Sequence, residues 1–369
     1  MADTATAAAA AASPVRLKKP YEASAMPART FLQNVHIFRA VAILMIICAH
    51  TVPSFDWSDW PTFGRVVDTI CNQASIYFFF IAGFLFQFLS PRYETRRYLK
   101  QKFRTVIMPY LIMSVPALLV FTLVTQREGV WSWFYDLAIW EQIGLFLLTG
   151  KHLAPLWFVP TITLFYLAAP LLVRGDRARW MYFLILPLFV ISILYSRDGP
   201  LGPIDKARYL AAAYLFGMFW SHFYDRLEAW ARRWWPLLFS IGAVGFALVL
   251  WNDKADLPYD FQMVQKLAWA PVFLVALDAI KYRVGTRLDY IAEVSFGIFF
   301  VHAYFIAAFK VAYTYALTDE LGGGSEAAIL PGTPIFFLGY VALVLIFSLA
   351  LIRLSQLTFK RNSRMVVGA

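Results

Sequence analysis

The sequence predicts an all-α integral membrane protein, a polytopic bundle of about ten transmembrane helices with both termini in the cytoplasm. Three observations lead there. Across 369 residues the chain is 60% apolar and only 15% charged, outside the range of an ordinary soluble domain. Its apolar residues gather into stretches of about 20, long enough as helix to cross a hydrocarbon core of ~30 Å. Its Lys and Arg residues concentrate in alternate connections, as cytoplasmic loops do.

Apolar stretches place spans at 36–55, 73–90, 105–125, 155–173, 180–196, 208–224, 236–251, 263–281, 289–312 and 334–356. With the N-terminus inside, the basic clusters Arg16 to Arg29, Arg92 to Arg104, Arg174 to Arg179, Arg226 to Arg233, Lys281 to Arg287 and Arg353 to Arg364 all fall in the cytoplasm. The net charge of +10 is thereby accounted for as an orientation signal. No nucleic-acid partner is expected, since that would need the bases gathered on one folded face. The partner implied by the spans is membrane lipid.

Residues 1–34 read as a disordered cytoplasmic tail, 35–357 as one transmembrane domain and 358–369 as a second cytoplasmic tail. The run Ala5 to Ala12 lacks the basic leader of a signal peptide. Trp131 to Leu148 mixes Trp, Phe and Leu with Asp136 and Glu141, which predicts an amphipathic helix at the outer interface. Cys48 lies in the first span and Cys71 just before the second, and no structural disulfide is expected between them. Gly322 to Gly324 has no following Lys and reads as a flexible turn, not a phosphate-cradling loop.

Within the first span, Arg39 and His50 interrupt an otherwise uncharged apolar run. Eleven positions at ~100° return a helix to within about 20° of its starting direction, with a rise of ~16 Å, so the two share one face at different depths. Ionisable groups are costly in a bilayer, which implies that this face lines a polar interior. Arg39 read alone is also compatible with snorkelling to the interface, and His50 with an interhelical hydrogen bond. His50, His152 and His302 come from separated spans without short ligand spacing, so no metal is expected. His36 and His222 read as interfacial.

Several segments together resemble the membrane-bound acyltransferase-3 family, whose members O-acylate glycans and related acceptors. They are Arg39-x10-His50, Phe78 to Phe84 in the second span, Lys102-Phe103-Arg104 leading to Pro109-Tyr110, Leu156 to Val159 with Tyr166 and Pro170, and Ser295 to His302. The chain departs from the family pattern at Ala82, where Ser is usual, and at Ile107, where many members carry a second Arg. The resemblance implies an O-acyltransferase of the bacterial inner membrane that moves an acyl group, most simply acetyl, from cytoplasmic acyl-CoA to a glycan or lipid-linked saccharide, with a polysaccharide synthesis complex as a further partner. Acyl-CoA would be a donor substrate, with no permanently bound cofactor.

In that reading His50 is the general base for the acceptor hydroxyl. Arg39 and Arg104 hold the donor phosphates, which guanidinium groups bind with paired hydrogen bonds. His302, matching His50 in depth, and Ser295 on the same helix face form the acceptor side, and His152 and Trp157 at the outer end of the fourth span offer sugar contacts. The alternative is a transport or export component for a polysaccharide, in which the same polar groups line a path. Internal sequence symmetry would favour it, and none is present.

Overall fold

The computed structural model describes residues 28–195, 202–255, 258–318 and 328–369. The Ala-rich run and the Gly322 to Gly324 turn lie outside the described residues. The remainder is a helical bundle: α1 (Ala28–Thr51), α2 (Pro61–Cys71), α3 (Ser75–Leu89), α4 (Thr95–Lys102), α5 (Met108–Leu119), α6 (Ile139–Thr149), α7 (Phe158–Leu167), α8 (Ala169–Ala178), α9 (Ile185–Leu194), α10 (Pro203–His222), α11 (Tyr224–Ala255), α12 (Gln262–Ile280), α13 (Gly285–Glu293), α14 (Ser295–Thr318), α15 (Pro334–Phe359) and α16 (Ser363–Val366). The two strands, β1 (Phe55–Asp56) and β2 (Leu330–Pro331), pair in parallel.

Among the described residues seven helices are long and apolar enough to cross a membrane, and eight if α7 and α8, bent by 57° at their junction, form one broken span. The other two stretches expected from the sequence fall on the 15-residue helical segment Trp180–Leu194, short for a span, and on α10. Asp205, Lys206 and Arg208 load the first turns of α10 with charge, which is why it fails as an apolar span although it packs inside the bundle. The helix expected over 131–148 is shorter than its amphipathic pattern suggested. Only α6 is regular, and Phe134–Asp136 is a single tight turn beside the stacked rings of Trp131 and Trp133. Glu141 accepts the Ala138 N–H at the start of α6, and Gly150 ends it at φ +70°, a conformation that favours glycine.

α3 is the core of the bundle, with Tyr77, Phe79, Phe80 and Phe84 all fully buried. Two glycines permit its contact with α10. A Cβ on Gly83 would lie 2.0 Å from the Tyr214 carbonyl oxygen, and one on Gly217 would lie 1.9 Å from that of Phe80. The helices thus meet backbone to backbone, as small residues allow in membrane bundles.

Between α4 and α5 the chain makes a π-helical turn, Phe103–Ile107. Pro109 explains it, because its ring would clash with the carbonyl four residues earlier, on Thr105, and it has no N–H to offer. Lys266 on α12 is fully buried and donates to the Thr69 and Ile70 carbonyls near the end of α2, at 3.1 and 2.7 Å, and to Gln265 at 3.1 Å. A cation there meets otherwise unsatisfied carbonyls. Cys48 and Cys71 are free, and their thiols are hydrogen-bonded to each other.

Candidate functional site

Two rows of polar side chains face each other across α1 and α14. Arg39 Nη2 donates to Ser295 Oγ at 3.0 Å, and Ser295 Oγ donates to the Ala292 carbonyl at 2.9 Å. Further along both helices the rings of His50 and His302 lie 5.4 Å apart. Since both sequences ascend from the Arg39 level to the His50 level, α1 and α14 run in the same direction. The face sharing expected on α1 over eleven residues is matched by the seven-residue interval on α14.

His302 is fully buried, and its Nδ1 lies 2.9 Å from the Ile298 carbonyl. A carbonyl only accepts, so Nδ1 carries the proton of the neutral ring and Nε2 presents a lone pair. That Nε2 has no hydrogen-bond partner among the described residues. A buried acceptor without a donor is costly, and a hydroxyl brought to it would satisfy it.

At the Arg39 level a cavity of about 680 Å³ opens between α1, α3, α4, α7 and α14. Arg39, Arg92, Arg97, Lys102 and Arg364 line it against two carboxylates, Glu94 and Glu293. None of the five cations forms an ion pair among the described residues. Its inner wall is apolar and aromatic, with Phe78, Ile81, Ala82, Phe158 and Phe296. Lys102 lies over the rings of Tyr98 and Tyr166, at 5.3 and 4.9 Å from their centroids. Unpaired cations at one end and an apolar throat at the other suit a ligand with a polyanionic head and an uncharged arm.

Neither histidine lines this cavity. Phe158 on its wall contacts Phe299 at 5.1 Å between ring centroids, and Phe299 contacts His302 at 6.2 Å. These rings link the cavity wall to the histidine level.

The other sequence candidates fall elsewhere. Arg104 is exposed and outside the cavity lining, with Met365 Sδ at 3.7 Å from its guanidinium. Two helical positions separate it from Lys102, about 200° of turn, so the π-helical segment presents Lys102 to the cavity and Arg104 away from it. Ser295 accepts the Arg39 hydrogen bond. His152 is fully buried, its Nδ1 3.1 Å from the Phe146 carbonyl and its Nε2 2.8 Å from Ser114 Oγ, so neither ring nitrogen is available to a sugar. Burial pushes its pKa down from 6.5 to about 4, the Arg127 charge adding to the shift and the Phe146 carbonyl opposing it. Trp157 is half-buried, with the Lys206 ammonium 5.7 Å from its ring.

The sequence reading missed Lys102, Arg97, Arg92 and Arg364 as cavity residues, because in a basic loop a topology signal and a binding cation look alike. It also missed the partners of His222. The Nδ1 of that ring lies 2.7 Å from Asp176 Oδ1, which accepts a 2.5 Å hydrogen bond from Tyr182, tying α8, α10 and the turn between α8 and α9 together.

No curated protein and no solved structure matches the chain. A family model described as an acyltransferase domain, that of the acyltransferase-3 family, matches residues 32–353 and so takes in α1, α3, α14 and every motif quoted above. With seven to eight membrane-spanning helices and this match over most of its length, the chain belongs to the acyltransferase-3 family and is an integral membrane acyltransferase of the class that transfers groups other than aminoacyl groups.

Proposed function

We propose that the protein is an inner-membrane O-acyltransferase that takes an acyl group, most simply acetyl, from cytoplasmic acyl-CoA and places it on a hydroxyl of a cell-surface or exported glycan. The observation that carries this reading is the two-level arrangement of α1 against α14, with Arg39 beside a cationic cavity and the His50–His302 pair ~16 Å further along the helix. The CoA phosphates sit among Arg39, Arg97 and Lys102, and the uncharged pantetheine arm follows the apolar wall toward the histidines. Cytoplasmic access is supported by charge, since Arg92, Arg97, Lys102 and Arg364 all belong to the basic clusters that orient the chain.

At the histidine level His50 takes the proton of the acceptor hydroxyl as its oxygen attacks the thioester carbonyl, and the CoA thiolate leaves with the electron pair of the broken carbon–sulfur bond. His302 Nε2, lacking a partner among the described residues, accepts a hydrogen bond from a second acceptor hydroxyl and orients it. The aromatic surroundings keep water from the thioester.

The test is release of free CoA from labelled acetyl-CoA by purified protein in nanodiscs, wild type against His50→Gln. Release that depends on His50 is expected. Equal release by both proteins removes His50 as the base, and absence of any donor binding removes acyl-CoA as the donor.

A further inference from the structure

The C-terminal segment is part of the cavity, although the family match ends at residue 353. After α15 the chain turns at Lys360, which adopts a positive φ of 48°, and α16 packs against α5. Residues 367–369 then lie on α14. A Cβ on Gly297 would be 2.6 Å from the Cβ of Ala369 and 3.2 Å from the Val367 carbonyl oxygen, and a Cβ on Gly368 would be 2.9 Å from the Phe300 ring. Ser363, Val367 and Ala369 are buried. This seating is two residues from Ser295, which holds Arg39.

The segment brings a charge with it. Arg364 lines the cavity together with Gly368, close enough for its charge to be felt at Arg39, and it has no ion-pair partner among the described residues. Two guanidinium groups held near each other without an ion pair to either repel, and an anion placed between them relieves that repulsion. Arg104 meets the same segment, its guanidinium 3.7 Å from Met365 Sδ. Its position thus fits bracing of the strap and not contact with the cavity's contents.

We infer that residues 363–369 form a strap that closes the donor cavity and that Arg364 binds a phosphate of the CoA donor opposite Arg39. This rests on the donor reading above. The strap follows residue 353, where the family match ends, so the donor site is completed from outside the matched residues.

The experiment uses the full-length protein in nanodiscs and measures equilibrium binding of CoA and, by competition, of pantetheine, which lacks the phosphates. Arg364→Gln should weaken CoA binding at least about five-fold and Arg364→Glu about twenty-fold or more, while pantetheine binding stays at the wild-type level. Arg361→Gln, an exposed neighbour outside the cavity lining, should change neither. A chain ending at Asn362 should show the same loss for CoA, and Arg364→Lys should recover part of it. If Arg39→Gln weakens CoA binding and Arg364→Gln does not, the strap's role is overturned while the donor cavity stands. If CoA and pantetheine weaken equally in Arg364→Gln, the residue acts on the fold and the phosphate contact is overturned. If CoA binds alike to wild type, Arg39→Gln and Arg364→Gln, both readings fall.

Discussion

Removing the Arg39 charge should strengthen the empty protein and weaken the loaded one. In the structure Arg39 makes a single side-chain hydrogen bond, to Ser295, and stands among Lys102 and Arg364 without an ion pair. Arg39→Gln keeps a donor for Ser295 and removes a repulsive partially buried charge, so the apo protein should melt at the same temperature or higher. Against a phosphate the guanidinium offers two charge-assisted bonds of about 1.5–3 kcal/mol each. The cavity is partly open to water, which roughly halves that sum and leaves about 1.5–3 kcal/mol. The loss then corresponds to about a 12- to 150-fold rise in the CoA dissociation constant. Calorimetry with CoA and thermal unfolding, both in nanodiscs, read the two effects separately. An unchanged dissociation constant would refute the assignment of Arg39 to the donor, and a large drop in apo melting temperature would refute the claim that the charge is held in wait for an anion.

Further outcomes follow from the same geometry. His50→Gln and His302→Asn should each lower acyl transfer, the first by about 10²- to 10⁴-fold, and the double variant should lose little more than His50→Gln alone, since His302 orients the same acceptor that His50 deprotonates; strictly additive losses would separate them. Phe299→Ala should open the way past Phe158 and extend the tolerated acyl chain, checked by comparing acetyl-, propionyl- and butyryl-CoA; an unchanged preference would show that these rings do not border the path. His152 binds a proton near 6.5 when unfolded but only near pH 4 when buried, so stability should fall as pH drops through that window, by up to about 3 kcal/mol, and level off below it. Thermal melts from pH 7 to 4 test this, and His152→Gln should flatten that part of the profile. Gly217→Ala places a methyl against the Phe80 carbonyl and should sharply reduce the folded yield, whereas Gly339→Ala, with open space at its Cβ, should not.

Much of this arrangement was legible in the sequence because it rests on helical periodicity. The shared face of Arg39 and His50 follows from eleven residues of α1, and the helices fall where the apolar stretches lie. Contacts between helices were not legible in the same way. Nothing in the spacing of Ser295 shows that it receives Arg39, since its partner lies 256 positions away. Arg104 lies outside the cavity lining for a local reason, because the π-helical turn before Pro109 and the two-position offset from Lys102 decide which cation enters the cavity. α2 was passed over because Asp68 and Arg65 break its apolar run, although its amphipathic face is packed. His152 drew attention as a polar residue near a membrane surface, but Ser114 and the Phe146 carbonyl that engage it come from α5 and α6.

The backbone contact between α3 and α10 makes the cavity mechanically lopsided. One wall, carrying Phe78, Ile81, Ala82 and Tyr214, belongs to a seam in which Gly83 and Gly217 leave no slack. Across from it, α4 presents Arg97, Tyr98 and Lys102 from a helix without a single buried residue, joined to α5 through a π-helical turn. Regions with few buried contacts open at the lowest free energy. Admission of a bulky guest therefore bends α4 and not α3, and hydrogen exchange along the chain should register that asymmetry as rapid labelling of 95–102 beside near-complete protection of 76–86.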